Sequence, residues 1–245
     1  MIEKKECIIG LDISTSIVGV SLFENNLLYK LFHIDLTKTK CMFEKADLFE
    51  KIFNENTKDI NVTKIYIEDT LQSFARGLSS AKTLMQLSRF NGITSNIAYK
   101  ISGIKPVFIN VNTARKSLGI KIDKNSSKDK KEQIMDWVDT DMGGYVWPTK
   151  IISRGVNKGL VKYEKFCYDI ADAYVICKAG IILYEHQMLK VCLKAEKRKQ
   201  AYLKKLKKMY WSLSICQMTF ASLLTTSICQ IQTFAMFSCM PKKEE

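Results

Sequence analysis

Apolar runs broken by single acids dominate the first third of the chain, and they predict strands. Cys7 to Phe23, CIIGLDISTSIVGVSLF, is an apolar run that ends on Asp12, turns through small polar residues and returns as a second apolar run. Asn25-Asn26 is a turn signal and Leu27 to His33 reads as a third strand, so the opening is an antiparallel meander. Phe43, Leu48, Phe49, Ile52 and Phe53 recur at helical spacing across Met42 to Asn56, a helix that serves as a crossover. Val62 to Glu68, VTKIYIE, repeats the shape of the first strand, an apolar run followed by a carboxylate. Asp69 to Ser79 reads as a loop, and Ser80 to Lys100 as a long helix with Leu84, Leu87, Phe90, Ile93 and Ile97 on one stripe. Lys105 to Asn110 is a fifth strand. Asn112 is expected to cap a short helix through Leu118, and Ser126 or Ser127 another running to about Val138, with the polar stretch Lys121 to Lys130 between them. Met142 to Tyr163, with five Gly or Pro residues, reads as a long functional loop, and helical periodicity returns from Glu164 to His186.

The acids at the ends of these elements need partners. A carboxylate at the tip of a buried strand costs desolvation free energy unless something compensates it. Strands one and four become neighbours if the crossover is right-handed, which sets Asp12 and Glu68 on adjacent strand ends about 4.8 Å apart. Within KFCYDIADAYVICKAG, Asp169 and Asp172 share one helix face, their Cβ atoms about 5–6 Å apart. Like charges that close leave one group protonated unless a cation intervenes. Four carboxylates around one pocket suit two divalent ions about 3.5–4 Å apart, and all-oxygen ligation selects Mg2+, with Mn2+ as substitute, over zinc.

Composition narrows the class. At 245 residues and 47% apolar content the chain has ample material for a core. The net charge of +13 is uneven: Lys190 to Trp211 holds nine Lys or Arg against one Glu, and reads as a basic helix that contacts a polyanion. Ser212 to Met240 has no charged residue, but twelve of its 29 residues are Ser, Thr or Gln, too polar for a membrane span. The expected division is therefore 1–189, a catalytic domain; 190–211, a basic helix; and 212–245, a Ser/Thr-rich tail, without charge through Met240, that is poorly ordered or weakly membrane-like. Eight cysteines form no Cys-x-x-Cys pair and only His33 and His186 are available, so no zinc set assembles and the thiols point to a reducing compartment. Met1 to Glu6 is charged and carries no secretory signal.

The order of elements, with Ile9-Gly10-Leu11-Asp12, Ile67-Glu68 and Asp169-Ile170-Ala171-Asp172-Ala173, resembles the RNase H-like fold in its RuvC-type Holliday junction resolvase form. These residues match that family's first-strand Asp, fourth-strand Glu and closing Asp-x-x-Asp-Ala helix. The longer loops after Glu68 and at Met142 to Tyr163 look more like the viral and phage branches. The resemblance implies an α/β fold with a five-stranded mixed sheet flanked by helices. It also implies a homodimeric endodeoxyribonuclease that cuts four-way or other branched DNA, leaving a 5′-phosphate and a 3′-hydroxyl, with Asp12, Glu68, Asp169 and Asp172 as catalytic metal ligands. The corresponding location is cytoplasmic or another intracellular DNA-containing compartment, such as a viral replication site in an infected host.

For DNA contact, Phe74 is the candidate to stack on a base exposed at a branch point, and Arg76, Lys116, Lys121, Lys130 and Lys131 are candidates to track phosphates. Lys150, Arg154 and Lys158 lie in a stretch, Met142 to Tyr163, that mixes cations with Tyr145, Trp147 and Tyr163 and holds no acid. Other readings stay open at this level. They are a nuclease for general branched DNA or RNA/DNA hybrids, an architectural DNA-binding protein, and an actin-like or sugar-kinase ATPase with Gly10 to Ser16 as a phosphate loop. The second phosphate loop that an ATPase needs is not found in the sequence.

Overall fold

The structure is a computed structural model that describes residues 4–69, 81–156 and 158–212, with side chains through residue 206. The chain divides into two units, Met1–Leu183 and Tyr184–Glu245. In the first, β1 (Lys5–Ile13), β2 (Ile17–Glu24) and β3 (Leu27–Asp35) form the meander, turning at Ser14–Ser16 and at Asn25-Asn26. Both asparagines have positive φ, 51° and 64°, the conformation a two-residue hairpin turn requires. Helix α1 (Met42–Thr57) crosses over to β4 (Ile60–Glu68), and α2 (Ala81–Ser102) leads to the short β5 (Val107–Ile109). The sheet order is β3-β2-β1-β4-β5, with β4 and β5 parallel to β1 and the meander antiparallel.

Alternation along β1 divides the core into two layers. Cys7, Ile9, Leu11 and Ile13 point to one face, where Phe49 and Phe53 of α1 and Phe90 and Ala98 of α2 cover them. Burying each such phenylalanine contributes about 1.5–3 kcal/mol. On the opposite face Phe23, Tyr66 and Ile109 pack against Ile134, Met135 and Val138 of α4 (Lys130–Met142) and the apolar side of α5 (Lys165–Ser212). The acids expected at the strand ends belong to this second face. Of the stripe expected on α2, Phe90 is buried and Ile93 and Ile97 pack half-buried against the core, while Asn91, Thr94 and Ser95 are buried beside them. Thr94 and Ser95 donate their hydroxyls to carbonyls one turn earlier, which removes the cost of burying them.

Three local expectations are corrected. Helix α3 (Val111–Ser117) is capped by Asn110, whose side chain accepts from Asn112 N, and not by Asn112 itself. Asn110 has the extended backbone (φ −66°, ψ 132°) that a cap needs, whereas Asn112 is already helical. Helix α4 is capped by Asp129, not Ser126 or Ser127, in a capping box with Glu132, and runs on to Met142. The long loop at Met142 to Tyr163 contains a hairpin, β6 (Thr149–Ile151) paired with β7 (Val161–Tyr163).

The far end of α4 is fastened to α5: Tyr174 Oη donates to Asp141 Oδ2 at 2.5 Å, and Lys178 Nζ pairs with the same oxygen. In the second unit the basic stretch is helical as expected, and Leu189, Val191, Leu193 and Tyr202 are exposed on it. Among the described residues no helix is long and apolar enough to cross a membrane, and all the described cysteines are free. The tail beyond Ser212 lies outside the described residues.

Candidate active site

Strand pairing and three small residues assemble the four acids. The parallel register of β1 and β4 runs to Leu11 opposite Ile67, so the next residues, Asp12 and Glu68, stand side by side at the strand ends. Asp12 in turn pairs with Gly19 on β2. A Cβ at Gly19 would overlap the backbone of Asp169 and Ile170, so the helix rests directly on the strand there. One turn further on, a Cβ at Gly10 would collide with the Ala173 carbonyl and Cys177, while Ser21 Oγ donates to that same Ala173 oxygen at 2.9 Å. Gly10, Gly19 and Ser21 thus form a seat that fixes both the depth and the register of α5. With the helix so placed, Asp169 and Asp172 arrive beside Asp12 and Glu68.

The charges report the crowding. Asp12 is held well above the ordinary carboxylate range by burial first and by Glu68, Asp172 and Asp169 after it. Burial, then Asp172, raises Glu68 to about 7. Asp169 rises to about 6, mainly through burial. Asp172 also rises through burial, opposed by Arg115, Lys131 and Lys130. Counter-charge comes from two helices. Arg115 Nη2 lies 3.9 Å from Asp172 Oδ1, the two side chains only 12% and 15% exposed, and Arg115 Nε is buried without a hydrogen-bond partner. Lys130 and Lys131 occupy the first turn of α4, where the helix dipole disfavours cations by about 0.3–1 kcal/mol each. Asp129 and Glu132 offset that local cost. Both lysines act against the rise of Glu68 and Asp172.

Next to this cluster is an open pocket of about 620 Å³ lined by Arg115, Lys116, Lys121, Lys124 and Lys130 with Gly119 and Ile122, a surface with five cations and no acid. Of the residues singled out in the sequence, Lys130 and Lys131 thus adjoin the acids, and Lys116 and Lys121 line the neighbouring pocket. Lys150, Arg154 and Lys158 belong to the β6–β7 hairpin, where Lys150 pairs with Glu164 at 3.2 Å. Phe74 and Arg76 lie outside the described residues. Arg115 was not singled out, because α3 is too short to show periodicity; its adjacency to Lys116 was the available signal. Replacing Arg115 with Gln is expected to raise the pKa values of Glu68 and Asp172 further, because its charge holds both down. Carboxyl NMR titration of metal-free protein measures this; unchanged titration would separate Arg115 from the acids.

The Ser14–Ser16 turn does not offer a phosphate loop, since Ser14 Oγ already accepts from Ser16 N and Ile17 N. Among the described residues, no three acidic, histidine or cysteine side chains stand close enough, as placed, to hold a metal ion. The fit to a divalent cation rests on donor chemistry: four acids on adjoining element ends, Asp12, Glu68 and Asp169 raised by a neighbouring acid's charge as well as by burial, and Asp172 by burial. That set matches a hard, oxygen-seeking ion.

No known family's sequence profile matches the chain, and no curated protein sequence does. Solved structures do. The structure of T. thermophilus RuvC in complex with Holliday junction substrate aligns with a TM-score of 0.52 at 12% identity, over 74% of this chain and 96% of that one. A second Thermus thermophilus RuvC structure aligns at 0.49 with 14% identity, over 74% and 96% of the two chains. The yeast mitochondrial Holliday junction resolvase aligns at 0.44 with 13% identity, over 74% and 80%. The chain therefore has the RuvC-type, RNase H-like resolvase fold, a five-stranded mixed sheet flanked by helices.

Proposed function

We propose that this protein is a divalent-metal-dependent endodeoxyribonuclease that resolves four-way or other branched DNA junctions by hydrolysing phosphodiesters. The carrying observation is the meeting of Asp12, Glu68, Asp169 and Asp172 at the ends of β1 and β4 and on α5, ringed by Arg115, Lys130 and Lys131. The fold it shares with a RuvC seen on Holliday junction substrate supports branched DNA as the partner. In this reading Asp12, Glu68, Asp169 and Asp172 hold two Mg2+ ions, or Mn2+ in their place.

Bound divalent ions supply a hydroxide-like nucleophile at neutral pH and neutralise charge on the phosphate. The chain's own groups do the rest. Arg115, Lys130 and Lys131 attract the phosphodiester to a site whose acids would otherwise repel it. Lys116, Lys121 and Lys124 take phosphates farther along the strand in the adjoining pocket. Protons and cations compete for the four carboxylates, so metal affinity rises with pH through the range set by Asp169 and Glu68, about 6 to about 7. Symmetric cutting of a junction calls for two such sites, and we assign them to a homodimer.

The test is cleavage of a synthetic immobile four-way junction beside matched duplex and flap DNA, with Mg2+, Mn2+ or EDTA. Paired symmetric nicks across the junction, lost in EDTA, are the expected result. Metal-dependent cutting of every substrate alike would reduce the activity to a general branched-DNA nuclease. Binding without cutting would turn the reading to an architectural protein.

A further inference from the structure

The β6–β7 hairpin is a two-stranded ribbon that exposes the side a ribbon ordinarily covers. Its register pairs Lys150 with Lys162 and Ile151 with Val161, so cations and apolar side chains alternate between its faces. Ile151 is 70% exposed and Val161 63%, and Val156 at the tip is fully exposed, flanked by Arg154 and Lys158. A positive φ at Gly155 (84°) and Gly159 (89°) makes the narrow turn, and Ile152 and Leu160 continue the ladder through Ile152 N to Leu160 O at 2.9 Å. At its base the hairpin is anchored to the start of α5: Glu164 N donates to Pro148 O at 3.0 Å, Lys150 pairs with Glu164, and Cys167 Sγ contacts Pro148 O. Glu164 precedes Asp169 by five residues, about 7.5 Å along a helix. The ribbon is thus rooted about one and a half turns from the nearest of the acids.

Resting on the nuclease reading above, we propose that this hairpin is a wedge that enters branched DNA at the crossover. Val156 at its tip and the paired Ile151 and Val161 behind it lean on unstacked bases while Arg154, Lys158 and Lys162 hold the flanking phosphates. Apolar side chains inserted at a base step unstack it, and that costs least where pairing is already interrupted, as at a branch point. A second copy of this chain fits the face less well. Lysine is depleted at protein interfaces, and a two-fold contact would set the four cations of Met142 to Tyr163, with no acid among them, against four more.

The experiment uses the full chain in EDTA, with fluorescence anisotropy on an immobile four-way junction and on matched duplex, and 2-aminopurine at the crossover to report unstacking. The triple variant Ile151→Thr, Val156→Ser, Val161→Thr changes exposed positions only, so folding is preserved and a thermal melt checks it. We expect junction affinity to fall about tenfold with duplex affinity within about twofold, and the 2-aminopurine signal to be lost. A second variant, Arg154→Ala with Lys162→Ala, is expected to weaken both DNAs and to flatten the salt dependence. Unchanged junction affinity and signal in the triple variant, with the wild type still cutting junctions in Mg2+, would overturn the wedge and leave the nuclease reading intact. A wild type that neither binds nor cuts would overturn both. Loss of junction binding together with a change from dimer to monomer in sedimentation would assign the face to a second copy and overturn the wedge.

Discussion

Asp12→Asn is expected to lower metal-dependent DNA cleavage by on the order of a thousandfold or more and, at the same time, to make the metal-free protein harder to unfold at pH 8. Both effects come from one arrangement. The four carboxylates resist ionisation in the folded chain, with Glu68 raised from 4.5 to about 7 and Asp169 from 3.8 to about 6. A folded state that holds protons more tightly than the unfolded chain is most stable below the unfolded pKa values. That stability is lost as pH rises through the folded ones. Unfolding free energy of the metal-free wild type should therefore decline between about pH 4 and pH 7, Glu68 alone accounting for on the order of 3 kcal/mol. Asn at position 12 removes one of the repelling charges, so the decline becomes shallower. Thermal melts in EDTA across this range, repeated with Mg2+, measure it; the ion should restore the wild type more than the variant. A variant that lost activity with no gain in metal-free stability would mean that the four acids do not strain one another.

Gly19→Ala is expected to be more damaging than its single methyl suggests. The new Cβ would occupy the position of the Asp169 backbone, and backbone cannot rotate out of the way as a side chain end can. Either β2 and α5 separate or the helix slides, at a cost on the order of 3 kcal/mol or more, the upper end for overpacked cores. Because Gly19 is the register partner of Asp12, the separation opens where the acids meet. A denaturant melt should show the loss of stability, and cleavage should fall further than the unfolded fraction accounts for. Ser21→Ala serves as the comparison. It removes the hydrogen bond to the Ala173 carbonyl, costs about 1–2 kcal/mol, and adds no bulk. A Gly19→Ala protein as stable as Ser21→Ala would mean that the helix does not rest on the strand.

The elements that carry acids were the easiest to read. An apolar run that stops on a carboxylate marks a strand end at Asp12 and Glu68, and an i, i+3 pair on an apolar helix marks Asp169 and Asp172, because each signal lies within a few residues. What needed distant partners was not legible. Gly10 and Gly19 look like ordinary strand glycines until α5 is laid across them, and Arg115 is an ordinary cation until Asp172 comes within 3.9 Å. The caps failed differently. Asn110 and Asn112 are chemically identical, and only backbone conformation, extended at one and helical at the other, decides which of them caps α3. The β6–β7 hairpin escaped because strands of three residues are shorter than any periodicity, and its exposed apolar residues break the inside-out pattern that marks a strand.

Asp141 takes no part in the cluster of acids, yet it bears on it through leverage. It ties the last turn of α4 to Tyr174 and Lys178 of α5. The first turn of α4 carries Lys130 and Lys131, ten or more residues away and so about 15 Å distant along the axis. One helix thus presents two of the cations and another two of the acids, and the contacts of Asp141 fasten the two helices at the end away from the lysines. The balance of positive and negative charge at the site therefore depends on a fastening about 15 Å along α4 from the lysines that set it.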